Sequence, residues 1–107
     1  DQGRRYSDLA IPIYEEVGDY VGLGSVLLNR GVDDIGVGKW PVAAQQLIDA
    51  RRAFERGGDV VMKAHASHNL AEILIDQGRY EEAESYLRES RRIWRASGFA
   101  TPRRRSC

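Results

Sequence analysis

Two histidines and a glutamate stand at helical spacing in the second half of the chain. His65, His68 and Glu72 lie three and four residues apart, so one face of a helix would present all three. Zinc accepts two histidines and a carboxylate, and histidine alone can act as a pH switch. No fourth ligand or general base stands nearby, and the alternative is a set of polar side chains that line a wet groove. The sequence favours the groove and predicts no metal and no cofactor.

Carboxylates cluster a few residues further on, at Glu81, Glu82 and Glu84. Acid–base catalysis needs two groups with opposed pKa values, and no such partner is visible for these three. Acidic residues in the first turn of a helix instead complement its dipole. Phosphate-binding loops are absent as well, because Gly22-Leu-Gly24 lies inside a predicted helix with no strand before it. The sequence therefore predicts that the protein is not an enzyme.

The C-terminal stretch is rich in arginine. Seven arginines stand in the last predicted helix and beyond it: Arg88, Arg91, Arg92, Arg95, Arg103, Arg104 and Arg105. Such a stretch could contact nucleic acid, or it could be a solvated helix face that leads into a disordered tail. Few aromatic side chains are interleaved to stack on bases, and the chain balances 16 Lys+Arg against 16 Asp+Glu. The sequence thus disfavours a nucleic-acid partner.

The composition indicates one globular domain. The chain has 107 residues, of which 42% are hydrophobic and 30% charged. The one cysteine, Cys107, permits no intramolecular disulfide and no cysteine-based metal cluster. No apolar run approaches the roughly 18 residues that a membrane span needs, and no signal peptide opens the chain. We therefore expect a soluble, cytoplasmic protein with no membrane contact.

An internal repeat with a period of 40 residues organises the chain. Tyr14, Phe54 and Trp94 recur at this spacing, and each is followed four residues later by glycine. The register holds between them without a gap, so that Asn29, for example, matches Asn69. Ungapped matches over almost a whole period are hard to obtain by chance. A period of this length is typical of stacked helical repeats.

Each repeat unit is predicted to form two helices. In the second unit Leu70, Ala71 and Leu74 make one apolar stripe. Gly78 follows where a helix end adopts a left-handed backbone, and Asp59, like the aspartate one period earlier, can cap a helix start. The five predicted helices span residues 5–17, 20–36, 41–57, 60–77 and 80–97. No run alternates apolar and polar residues, so the predicted fold is all-α.

Glycine and proline strain this pattern in the first part of the chain. Pro12 lies in the first predicted helix, which must either kink or begin its regular part near the proline. Gly31 matches an alanine of the second unit and would suit close helix contact. Gly22, Gly24 and Gly36 have no such match and predict a loose second helix.

Two charged residues stand where the second unit has leucines. Arg30 and Asp34 match Leu70 and Leu74. Either they form an ion pair one helical turn apart at the end of the stack, or they make a polar contact with another chain.

Residues 78–83 have the sequence Gly-Arg-Tyr-Glu-Glu-Ala, Leu87 follows them, and residues 70–74 have the pattern Leu-Ala-x-x-Leu. Together these residues resemble the tetratricopeptide repeat. The period of 40 differs from the usual 34, and the family's first-helix tryptophan position holds Leu27 or Ser67. Long repeats of this kind look most like those of bacterial multidomain regulators, such as LuxR-type and antibiotic-regulatory transcription factors, and class III nucleotide cyclases.

The resemblance implies a right-handed α-solenoid of antiparallel helix pairs with about five helices, cut from a larger bacterial regulatory or signalling protein. It divides the chain into a second helix of a truncated preceding repeat (1–19), two repeats (20–59 and 60–98) and a basic, disordered tail (99–107).

The resemblance also implies a non-catalytic protein–protein interaction module with a concave groove for a peptide or a partner domain. Matching repeat positions assign ten residues to that groove: Ser25, Leu28, Asn29, Val32, Ile35, His65, His68, Asn69, Glu72 and Ile75. Asn29 and Asn69 match the family position where an asparagine often bonds a ligand's backbone. His65 and His68 stand where a carboxylate clamp has lysine, which argues against an acidic C-terminal peptide.

Self-association is the alternative function. Open ends of a repeat stack expose apolar surface, so one copy could stack on another through Phe99 and the faces of the outermost helices. In both cases the partner is a protein whose identity the sequence leaves open.

Overall fold

The structure, a computed structural model, describes residues 2–97 of the chain and the side chains of residues 5–97. The helices are α1 (Gln2–Val17), α2 (Tyr20–Gly36), α3 (Trp40–Gly57), α4 (Val60–Asp76) and α5 (Tyr80–Ala96). The last four begin and end within one residue of their predicted bounds. The described residues contain no strand, so the predicted all-α helical stack is confirmed. The predicted tail, 99–107, and Phe99 lie outside the described residues.

Each helix packs against the next one along the chain, and α2 also contacts α4. The connections have two or three residues, so consecutive helices run in opposite directions. The contact between α2 and α4 brings the first helices of the two units side by side. This contact decides which side chains can share a groove.

One glycine lies in each connection between helices, at a spacing of 20 residues. Gly18, Gly38, Gly58 and Gly78 have φ angles of 75°, 80°, 79° and 77°. A residue with a Cβ would be strained in this left-handed backbone. Each connection therefore contains one left-handed glycine, although the connections after α2 and α4 are one residue longer than those after α1 and α3.

Aspartate caps the helices that begin a unit, as predicted. The Asp19 carboxylate accepts a hydrogen bond from the Gly22 N–H at 2.9 Å, and Asp59 accepts one from the Met62 N–H at 3.1 Å. These bonds satisfy backbone donors that have no partner inside a helix. They fix the starts of α2 and α4, the two helices that carry the candidate groove residues.

Three glycines of α2, namely Gly22, Gly24 and Gly31, are packing residues, and the prediction of a loose helix is wrong for Gly22 and Gly24. A Cβ on Gly24 would lie 2.7 Å from the Phe54 ring, and one on Gly22 would lie 2.6 Å from the Tyr14 ring. Gly31 fits equally closely against a leucine of α3, at 2.9 Å, as predicted. Aromatic side chains from the neighbouring helices thus occupy the space that a side chain on α2 would need.

Pro12 does not mark the start of regular structure. The first helix begins at Gln2 and continues through the proline to Val17. The interpretation in which the helix starts near Pro12 is therefore wrong.

Arg30 and Asp34 bridge helices of this chain. The Arg30 guanidinium lies 3.3 Å from the Asp8 carboxylate of α1, and the Gln46 amide of α3 donates to Asp34 at 2.8 Å. Asp34 is 1% exposed, so this second bond is made in the interior. Polar contacts between helices therefore replace the apolar contacts that the matching leucines make in the second unit.

A polar cluster joins α3, α4 and α5 around Glu89. Arg51 donates to both carboxylate oxygens at 2.9 Å and to the Ser67 hydroxyl at 2.6 Å. Ser67 in turn donates to Glu89 at 2.9 Å, and the Lys63 ammonium lies 3.3 Å away. Burial by itself raises the pKa of Glu89, but the Ser67 hydrogen bond and the Arg51 charge outweigh it and hold that pKa below its usual range.

The close fit of Gly24 gives a stability prediction. We expect Gly24→Ala to lower the free energy of unfolding by about 1–3 kcal/mol, because the added methyl group would overlap the buried Phe54 ring. Gly36→Ala is the matched control in the same helix, since nothing lies within 4 Å of its added Cβ. The control should stabilise the protein by about 0.4–1 kcal/mol. Urea unfolding measures both, and a gain in stability for Gly24→Ala would contradict the packing.

The lowered pKa of Glu89 gives a pH prediction. Its carboxylate stabilises the fold fully above the unfolded pKa of about 4.3, and this contribution is lost as the pH falls through the folded pKa. We expect Glu89→Gln to cost about 1–3 kcal/mol at neutral pH, and less in acid. Urea unfolding at several pH values measures the difference.

The control for Glu89 is Glu84→Gln on the same helix. Glu84 forms an exposed ion pair with Arg88 at 2.9 Å, so its loss should change stability by less than about 1 kcal/mol. The prediction would be contradicted if both variants lost the same stability, or if the stability lost in Glu89→Gln stayed constant with pH. Either result would show that the cluster around Glu89 does not supply the pH-dependent stability.

Candidate partner-binding groove

A groove of about 550 Å³ lies between α1, α2 and α4. Five of the ten residues assigned to a groove from the sequence line it: Leu28, Asn29, Val32, His65 and Asn69. They face each other across the contact between α2 and α4. The structure therefore brings together residues that stand about one repeat apart in the sequence.

A smaller depression of about 290 Å³ continues along the same two helices. Three more of the assigned residues, Ile35, Glu72 and Ile75, line it together with Ile73 and Asp76. The surface assigned from the sequence is therefore divided between two neighbouring hollows.

Two assigned residues, Ser25 and His68, are not among the residues that line these hollows. The Ser25 hydroxyl donates to the Val21 carbonyl of its own helix at 3.0 Å. The His68 ring lies 5.8 Å from the Trp94 ring of α5, and its Nε2 is 3.5 Å from the Glu72 carboxylate. Both side chains are thus engaged within the stack.

Trp94 connects the groove wall to the last helix. Its ring centroid is 5.4 Å from that of His65, which does line the groove. The tryptophan packs against both histidines and restricts where their rings can lie. In the part of the chain whose side chains are described, no group of three His, Cys, Asp or Glu residues is placed to hold a metal ion.

All charged residues that line the two hollows are acidic. Asp33 lines the groove, and Glu72 and Asp76 line the smaller depression. No lysine or arginine is among the lining residues of either. An anionic surface attracts cationic segments and repels acidic ones. This negative charge points the same way as the absence of a lysine-based carboxylate clamp, because both disfavour an acidic C-terminal peptide as the ligand.

Sequence reasoning missed five groove residues, namely Tyr6, Ser7, Val26, Asp33 and Met62. Met62 stands one turn before His65, so helical spacing could have found it. Asp33 stands one turn after Asn29 and could have been found in the same way. Tyr6 had no such signal, because it lies on α1, a helix that the repeat comparison assigned outside the groove.

None of the helices α1 to α5 combines the length and the hydropathy of a membrane-spanning segment. No curated protein and no solved structure matches the chain. Residues 64–97, which cover most of α4 and all of α5, match the family model described as "Tetratricopeptide repeat". Repeats of this family are generally protein–protein interaction modules and typically non-catalytic scaffolds. The last two described helices therefore form a segment that matches a tetratricopeptide repeat.

Proposed function

We propose that this chain is a non-catalytic protein–protein interaction module that binds a peptide segment of a partner protein in the groove between α1, α2 and α4. The observation that carries the proposal is the meeting of Asn29 and Asn69 in one groove. These asparagines come from equivalent positions of α2 and α4. Each amide offers both donors and an acceptor, which suits the alternating N–H and C=O groups of a peptide backbone.

The apolar lining supplies the affinity in this proposal. Leu28 and Val32 of α2 and Met62 of α4 line the same groove as the asparagines. The groove volume falls in the range of about 300–1,000 Å³ that is usual for ligand sites. An apolar side chain of the partner segment would bury itself there, while its backbone is held by the amides.

The charge of the groove supplies the selectivity. Asp33 stands at the groove, and the two acidic residues of the smaller depression extend the same sign. The partner segment would therefore carry a lysine or arginine next to its apolar residue. His65, held by Trp94, contributes a planar polar surface to the same wall.

We further propose that the module works in the cytoplasm, within a larger bacterial regulatory or signalling protein. The support is the resemblance of its 40-residue units, with their recurring Gly-Asp turns, to the repeats of bacterial multidomain regulators and nucleotide cyclases.

Selection from a random peptide library displayed on phage tests the groove. We expect enriched peptides to combine an apolar residue with a basic one, and their affinity to fall about tenfold or more for the double variant Asn29→Ala, Asn69→Ala. Two lost hydrogen bonds to the ligand cost about 1–3 kcal/mol together. Fluorescence anisotropy with an enriched peptide measures the affinity.

Gln45→Ala is the matched control, because it removes an exposed amide from α3, away from the groove. It should leave the affinity unchanged, whereas Asp33→Asn should weaken basic peptides selectively and reduce their salt dependence. Enrichment of acidic peptides would refute the proposed mode of peptide binding. Equal peptide affinity of the double variant and the wild type would refute it as well.

A further inference from the structure

The first helix exposes a continuous apolar stripe. Tyr6, Leu9, Ile13 and Val17 are 59%, 67%, 57% and 69% exposed, and they are four of the ten exposed large hydrophobic residues in the described chain. Their spacing of three, four and four residues places them on one face of α1. Ser7 and Ala10 of the same helix are buried, so α1 is packed along one edge of the stripe and the stripe itself is open. An apolar stripe of this kind marks an interaction surface.

The charges of α1 oppose its own dipole. The helix has no acidic residue in its first turn and no basic residue in its last turn. Instead Arg5 stands in the first turn, and Glu15 and Glu16 stand in the last. A positive charge at a helix start and a negative one at its end are unfavourable within a single helix. The dipole of α1 therefore does not stabilise these charges, whereas opposite charges on a partner chain would.

Arg5 and Glu16 also flank the stripe on the same edge. They are eleven residues apart, which is close to three helical turns. Residues on the same edge face each other when two such helices pack antiparallel. Arg5 then meets Glu16 of a second copy, and the reverse contact forms at the other end.

We propose that two copies of this chain associate through α1, with the two α1 helices packed antiparallel about a two-fold axis near Ile11. In this register Leu9 lies opposite Ile13 of the second copy, and Tyr6 lies opposite Val17. The apolar stripe and the flanking charges are thus self-complementary to within one residue of a single register, as a two-fold interface requires. A single pair of helices buries little surface, so the dimer is weak and depends on concentration.

This interface can be tested separately from peptide binding, although it touches the groove. Tyr6 belongs both to the stripe and to the lining of the groove between α1, α2 and α4. Association through α1 therefore covers one edge of the groove in each copy. Self-association and peptide binding can be measured separately, because one is a change in mass and the other needs an added ligand.

Sedimentation velocity of the full chain over a roughly hundredfold concentration range tests the interface. We expect conversion from monomer to dimer and no further growth, and we expect Leu9→Glu or Ile13→Glu to give a monomer throughout. Val42→Glu is the control, because Val42 is an apolar residue on α3 that is 50% exposed. A wild-type monomer at all concentrations, growth beyond a dimer, or an equal effect of the control would overturn the proposal.

Charge reversal tests the antiparallel register. Arg5→Glu alone, and Glu16→Arg alone, should each weaken the dimer about tenfold, because like charges then meet at both ends. An equimolar mixture of the two variants should dimerise again, since opposite charges meet at both ends of the mixed pair. Circular dichroism confirms that both variants remain helical. A mixture that dimerises no better than either variant alone would overturn the register.

Discussion

The carboxylate of Glu89 is the interaction on which the second half of the stack depends. Among its described residues, α5 buries only Ala83 and Ser90 completely, and its Tyr86 and Leu87 pack against the core while only partly buried. Glu89 adds a bidentate pair with Arg51 of α3 and a hydrogen bond from Ser67 of α4. A half-buried charge is tolerated because several partners compensate for its lost hydration. One side chain therefore fixes three helices relative to one another, and Trp94 is held where it can support the groove.

Close packing at two glycines of α2 fixes the positions of α2 and α4, the helices that carry the two asparagines of the groove. Gly24 and Gly31 let α2 approach α3 until Phe54 and Leu47 fill the space that side chains on α2 would occupy. Phe54 packs with Ala50 of its own helix and Ala66 of α4, and it thereby ties α2 and α4 to the same core. The groove is the outer side of this contact. A larger residue at these glycines would separate the helices and so move the two asparagines apart.

The first helix combines several roles because its faces have different surroundings. Its packed face contacts α2, and Asp8 adds an ion pair to Arg30 of α2. Its open face carries the apolar stripe, and Tyr6 stands where the stripe meets the groove. A ligand in the groove and a second copy on α1 would therefore compete for the surface around one tyrosine. This geometry offers a simple way for the concentration of the protein to affect what the groove can bind.

The sequence by itself determined the helices, because their boundaries are set by local chemistry. Glycine in a left-handed turn ends a helix and aspartate caps the next, and both act through neighbouring backbone groups. The repeat register also placed eight of the ten assigned residues at the two hollows, since residues of one helical face stay together. The tertiary structure alone decided the rest. It packed His68 against Trp94 of α5 and gave Gly24 a ring to pack against. It also joined Arg51 to Glu89 across 38 residues, because such contacts depend on how whole helices are oriented against one another.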